Sequence, residues 1–149
     1  MVEVKARMET AQHILLHILI EEYGAKQTGM QIYDDKIRID VKSMVDLTLI
    51  SREELEEKVN NIIKKKLGVT IKTYSRNMIR QEIDVSSVPS HIEYVRIVSI
   101  GDYDTQPCGN RHVSNTSEIG VYRILDIRRN GRDIYRIQGT VLNGAKPDS

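Results

Sequence analysis

The chain has 149 residues, 40% of them hydrophobic and 29% charged, with a formal net charge of +1. That length suffices for one self-sufficient core, and the near-neutral balance excludes general attraction to polyanions, so any nucleic-acid contact must come from a local basic patch. The single cysteine excludes an internal disulfide, as expected of a reducing cytoplasm, and no apolar run approaches the roughly 18 residues of a membrane span.

Residues 9–23 predict a helix, with Ala11, Leu15, Ile18 and Leu19 along one side and Leu16 and Ile20 on another. It is apolar nearly all round, which predicts burial. Thr10 is the expected N-cap and Gly24 the expected stop. A hairpin follows: 30–33, then Asp34-Asp35, then 36–41, where Ile37, Ile39 and Val41 alternate with Arg38 and Asp40. Ser51-Arg52-Glu53-Glu54 has the form of a capping box. Leu55, Val59, Ile62, Ile63 and Leu67 carry the second helix to Gly68. Residues 69–74 predict a strand and 75–84 a short helix. Residues 92–100 are apolar at both parities, which suits a central strand covered on both faces. A loop over 101–117 follows, and then a second hairpin, 119–128 with 133–141, around Asn130-Gly131. A loose tail is expected from Asn143. These elements predict a single α+β domain over 1–149, a mostly antiparallel sheet packed by two main helices.

Two compact pairs of ligand-type residues stand out. His13 and His17 are four apart on the first helix and therefore neighbours on one face. Cys108 and His112 bracket Gly109-Asn110-Arg111, where Gly109 and Asn110 permit a tight turn. Imidazole and thiolate are good zinc ligands, and four of them make a tetrahedral site. Either pair alone is as well explained by buried core residues; together they predict one metal joining both ends of the chain. Asp102 and Asp104 are candidates to orient a histidine from behind.

With Thr116-Ser117-Glu118-Ile119-Gly120 after the Cys-x-x-x-His, the pattern resembles the editing domain of alanyl-tRNA synthetase and its free-standing AlaX relatives, with a more distant likeness to the threonyl-tRNA synthetase editing domain. Gln27-Thr28-Gly29, Ile37-Arg38-Ile39-Asp40, Val95-Arg96-Ile97-Val98 and Arg136-Ile137 extend the resemblance over about residues 10–140. It implies that fold, zinc on His13, His17, Cys108 and His112, and trans-editing in the cytoplasm: hydrolysis of the ester that joins serine or glycine wrongly to alanine tRNA. The alternatives are release of serine from threonine tRNA, or a zinc-containing tRNA-binding module without hydrolysis. Asn110 and Arg111 depart from the synthetase loop Cys-Gly-Gly-Thr-His, and Met30 stands in the serine place of the family's Gln-x-Gly-Ser, so the departures bear on amino-acid choice. Gln27, Thr28 and Thr116 are candidates to contact the amino acid. Lys64, Lys65 and Lys66, and Arg128 and Arg129 with nearby Arg132, are candidates to contact tRNA phosphates.

Overall fold

The computed structural model describes residues 3–143. The expected loose tail lies outside them, apart from Asn143. Helix α1 (Val4–Tyr23) begins well before the expected residue 9. Thr10 is therefore not its N-cap: it lies inside the helix, where its hydroxyl donates to the Ala6 carbonyl. The far end stops as expected. Gly24 takes φ 65°, and its N–H and that of Ala25 cap the carbonyls of Ile20 and Leu19.

Strands β1 (Lys26–Ile32), β2 (Ile37–Lys42), β6 (Val121–Arg129) and β7 (Ile134–Leu142) form a four-stranded antiparallel sheet in the order β1-β2-β7-β6. Strands β3 (Val69–Ser75), β4 (Tyr94–Ile100) and β5 (Asp104–Pro107) form a second antiparallel sheet, β3-β4-β5. The mostly antiparallel α+β architecture is as expected, with its strands divided between two sheets. Helix α1 contacts β1, β2 and β7 of the first sheet and β5 of the second, with α2 (Arg52–Ile63) beside it. A helix covered on that many sides has no wet stripe, which accounts for its all-round apolarity. Ala11, Ile14, Leu15 and Leu19 are fully buried against a core that includes Ile37, Ile39, Val41 and Ile137.

The polar side of α2 closes an edge. Ser51 accepts from the Glu54 N–H at its start. Asn60 then donates to the Tyr122 carbonyl and accepts from the Tyr122 N–H, Glu56 accepts from the Ile124 N–H, and Arg52 donates to the Leu125 carbonyl. Side chains thereby occupy backbone groups that an edge strand would otherwise offer to another chain. The second hairpin turns through Asn130–Asp133, with positive φ at Gly131 and Asp133. The predicted helix over 75–84 is reduced to one 3-10 turn, Arg76–Met78. The segment beyond it is irregular up to β4.

Candidate metal centre and its cavity

From Tyr103 to His112 the chain runs beside α1 in the opposite direction. The Tyr103 ring lies 4.2 Å from that of His17, and Asp104 Oδ1 accepts from His17 Nδ1 at 2.9 Å. Further along, Cys108 meets Glu9, His112 meets Thr10, and Arg111 pairs with Glu3. The two rises explain this register. From His17 back to Glu9 the helix advances about 12 Å, and from Asp104 to Cys108 a strand covers about 13 Å. With Asp104 opposite His17, Cys108 must therefore arrive opposite Glu9.

The donor cluster is accordingly Glu9, His13, Cys108 and His112, whose ligand atoms all lie within 4.8 Å of one another. His17, expected among the ligands, is directed to Asp104, and Glu9 stands in that role one turn to the other side of His13. Three edges of the cluster are resolved: His13 Nε2 to Glu9 Oε1 at 3.3 Å, Cys108 Sγ to Glu9 Oε1 at 3.5 Å, and His112 Nε2 to Cys108 Sγ at 3.4 Å. Metal–ligand distances of about 2.0–2.3 Å in a tetrahedron put neighbouring ligand atoms about 3.3–3.8 Å apart. The edges fit. So does one orphan, because Glu9 Oε2 is buried without a hydrogen-bond partner, a costly state that a cation bound by the carboxylate would relieve.

The surroundings prepare His112 as a ligand. Thr10 Oγ1 spends its hydrogen on the Ala6 carbonyl and accepts from the Val113 N–H at 3.2 Å. Its contact with His112 Nδ1 at 3.0 Å therefore has the imidazole as donor. The proton sits on Nδ1, and the Nε2 lone pair faces Cys108. Burial, reinforced by the nearby charge of His13, pushes His112 down to about 3, so the ring is neutral. His13 is the counterpart. Burial opposes its charge, but hydrogen bonds to Cys108 and Glu9 outweigh that and raise it to about 9. Burial likewise opposes the charge on Glu9, yet its contacts with His13 hold it below the usual carboxylate range. The His13 cation thus stands beside the Glu9 carboxylate. Arg96, on β4, steadies the ligand loop by donating to the Asn110 carbonyl at 2.8 Å, while the Cys108 N–H bonds the Arg96 carbonyl.

A cavity of about 390 Å³ opens over Glu9, His13 and Cys108, within the range of small-ligand sites. Gln27, Thr28, Gly29 and Met30 of β1 form one wall and Gln106 and Asn110 another, with Ser87 at the rim. Two expected substrate contacts, Gln27 and Thr28, therefore share the cavity with the cluster. Thr116 does not: it is fully buried, and its hydroxyl donates to the Ile63 carbonyl and accepts from the Leu67 N–H, closing the end of α2. A polar residue in a loop looks the same in sequence whether it meets a ligand or a helix end. Lys64, Lys65 and Lys66 follow α2 rather than occupying its last turn, and Lys64 and Lys66 line a separate cavity with Ser117 and Gly120. Arg128 pairs with Asp126, and Arg129 with Asp46 while stacking on Tyr135. Glu9 and Ser87 carry no role in the sequence reading, and Thr10 only that of a helix cap. Glu9 had one available signal, a carboxylate one turn before His13 on an apolar helix.

Residues 95–138 match the family model described as "Threonyl and Alanyl tRNA synthetase second additional domain". The chain is 37% identical over 137 residues to the alanyl-tRNA editing protein AlaX-L of Pyrococcus horikoshii, covering 90% of this chain and 33% of that one. It is 29% identical to AlaX-M of Methanosarcina barkeri, covering 92% of this chain and 58% of that one. It is 33% identical to the alanine–tRNA ligase of a Thermoanaerobacter species, covering 89% of this chain and 16% of that one. The chain thus spans between a third and three-fifths of the two editing proteins' lengths.

Proposed function

We propose that the chain, similar to the AlaX-type alanyl-tRNA editing proteins, is a zinc-dependent deacylase of mischarged tRNA, acting in the cytoplasm on serine or glycine esterified to alanine tRNA. The observation that carries this is the Glu9–His13–Cys108–His112 cluster at the floor of a cavity walled by Gln27 and Thr28. Glu9, His13, Cys108 and His112 would hold the zinc, which could polarise an ester carbonyl or a water where one of the four leaves a coordination position open.

The remaining work falls to the chain. Glu9, His13 and Cys108 are buried or half-buried beneath the cavity, which holds them in fixed positions and leaves room for the water that the hydrolysis consumes. Gln27 and Thr28 present amide and hydroxyl groups to the amino acid. A site that hydrogen-bonds a hydroxyl rejects the analogue lacking it by about 10⁴-fold or more, which would separate serine from alanine; glycine carries no hydroxyl and gains nothing from this contact. Met30 contributes an apolar surface to the same wall. Asp104, shared by His17 and Gln106 and 3.9 Å from His13 Nδ1, faces the imidazole from behind. For tRNA, the lysines are the better candidates: Lys64 and Lys66 line an open recess, whereas Arg128 and Arg129 are already paired with aspartates.

The deciding experiment presents serine-, glycine- and alanine-charged alanine tRNA, and serine-charged threonine tRNA, to the zinc-loaded protein and to Cys108→Ala. Release of serine or glycine from alanine tRNA, lost in the variant, is expected. Failure to release any amino acid would overturn the deacylase, and release only from threonine tRNA would reassign the substrate.

A further inference from the structure

The segment between the 3-10 turn at 76–78 and β4 has fifteen residues (79–93) without regular structure. Connections of that length in compact domains usually carry function or are loosely held. Here it crosses the outer face of the three-stranded sheet without filling the space beneath. A cavity of about 260 Å³ separates Ile79 and Ile83 of the segment from Ile97, Ser99 and Thr105 of the sheet. Val95 and Ile97 of β4 are nonetheless buried, so apolar packing supplies only part of what sets its position.

One side chain supplies the rest. The Arg76 guanidinium donates to four carbonyls of this segment: Nη1 to Pro89 at 2.9 Å and Ile92 at 2.8 Å, Nη2 to Val88 at 2.9 Å and Val85 at 3.5 Å. The fork spans the backbone on both sides of Ser86 and Ser87. Arg76 is itself fixed, since its N–H donates to the Glu93 carbonyl at 2.7 Å. Two local turns, Val88 N–H to Val85 and Ile92 N–H to Pro89, complete a compact loop whose exposed residue Ser87 stands at the rim of the cavity over the metal cluster.

We propose that Ser87 is a substrate-binding residue, its hydroxyl contacting the aminoacyl-adenosine end of the tRNA, and that Arg76 is the positioning residue that holds it there. The identity of the ligand rests on the deacylase function proposed above; the mechanical link between Arg76 and Ser87 does not. A rigid fork suits the task, because a lysine offers a point charge that cannot address four carbonyls in fixed directions.

The test uses the intact, zinc-loaded protein and its Arg76→Ala, Arg76→Lys and Ser87→Ala variants. Hydrogen exchange is measured over 79–93, zinc content is determined, and binding of a non-hydrolysable amide analogue of seryl-adenosine is followed by calorimetry. Arg76→Ala is expected to speed exchange in 79–93 by more than tenfold while zinc stays stoichiometric. Arg76→Lys should restore protection only in part. Ser87→Ala should leave exchange unchanged, and both alanine variants should weaken the analogue by about tenfold, the scale of one lost hydrogen bond. In turnover the defect should fall on KM rather than kcat. Unchanged exchange in Arg76→Ala, unchanged analogue binding in Ser87→Ala, or no analogue binding by the wild-type protein would each overturn the proposal. A wild-type protein that binds the analogue through Ser87 but hydrolyses no charged tRNA would instead overturn the deacylase alone.

Discussion

Replacing Thr10 by valine isolates one hydroxyl on which the metal centre depends. Valine keeps the shape, so packing around residue 10 is retained. Two donors lose their acceptor: the Val113 N–H at 3.2 Å and His112 Nδ1 at 3.0 Å. An unpartnered buried donor costs about 1–3 kcal/mol, and with one of the pair only partly buried the sum is about 3 kcal/mol. For a chain of this size that is a fall in Tm of about 6–12 °C. A separate effect acts on the metal. Without Thr10 nothing holds the His112 proton on Nδ1, and loss of such an orienting bond lowers metal affinity about 10- to 100-fold. Thr10→Ser, which keeps the hydroxyl, should stay close to wild type in affinity. Zinc affinity is read by competition with a chelator and stability by calorimetry of the metal-free protein. A Thr10→Val protein that binds zinc as tightly as wild type would refute the tautomer assignment, whatever its Tm.

Other perturbations have equally definite outcomes. Glu9→Gln and Cys108→Ala should each lower the zinc content of protein purified without chelator, while His17→Ala should leave it stoichiometric; metal analysis decides. Gly139→Ala would drive a methyl into the phenol of the fully buried Tyr122, destabilising the fold by about 1–3 kcal/mol or more, as measured by urea unfolding. Acid should weaken the metal-free protein through His112, whose folded pKa of about 3 lies below its unfolded value near 6.5. Between those values the unfolded chain binds more protons, so stability falls as pH drops from about 6.5 towards 3. Denaturant midpoints across that range, beside a His112→Gln control lacking the effect, test the sign. His17 runs the other way. Its hydrogen bond with Asp104 raises its pKa, so that contribution is complete below about 6.5 and disappears as pH rises through the folded value. Asp104→Asn should remove the upward shift in an NMR titration of His17.

The elements that announced themselves in sequence are those whose signals are local. Ser51 marked the start of α2, Gly24 the end of α1, and the alternation of Ile37, Ile39 and Val41 a strand with one buried face. The short helix expected over 75–84 failed because Met78 and Ile79 do not face a core; Met78 is exposed, and the backbone there is organised by a guanidinium rather than by helical bonds. Three of the four clustered donors, His13, Cys108 and His112, were legible, and the fourth was not for a related reason. Spacing identifies which residues share a helix face, but Glu9, His13 and His17 all satisfy the four-residue period. Which pair meets Cys108 depends on how the 103–112 stretch is laid along α1, a tertiary quantity without a local signature. Thr116 shows the same limit, since its hydroxyl completes a helix end whose position is set by α2 packing.

The line of Glu9, His13 and His17 up one side of α1 has an engineering consequence. The helix resembles a rack with three teeth, and the facing stretch decides which two mesh with the cysteine. Exchanging the tooth at position 9 for another ligand alters the chemistry of the centre without moving it. Moving it one turn towards His17 would require sliding the whole 103–112 stretch past Asp104, which no single substitution achieves.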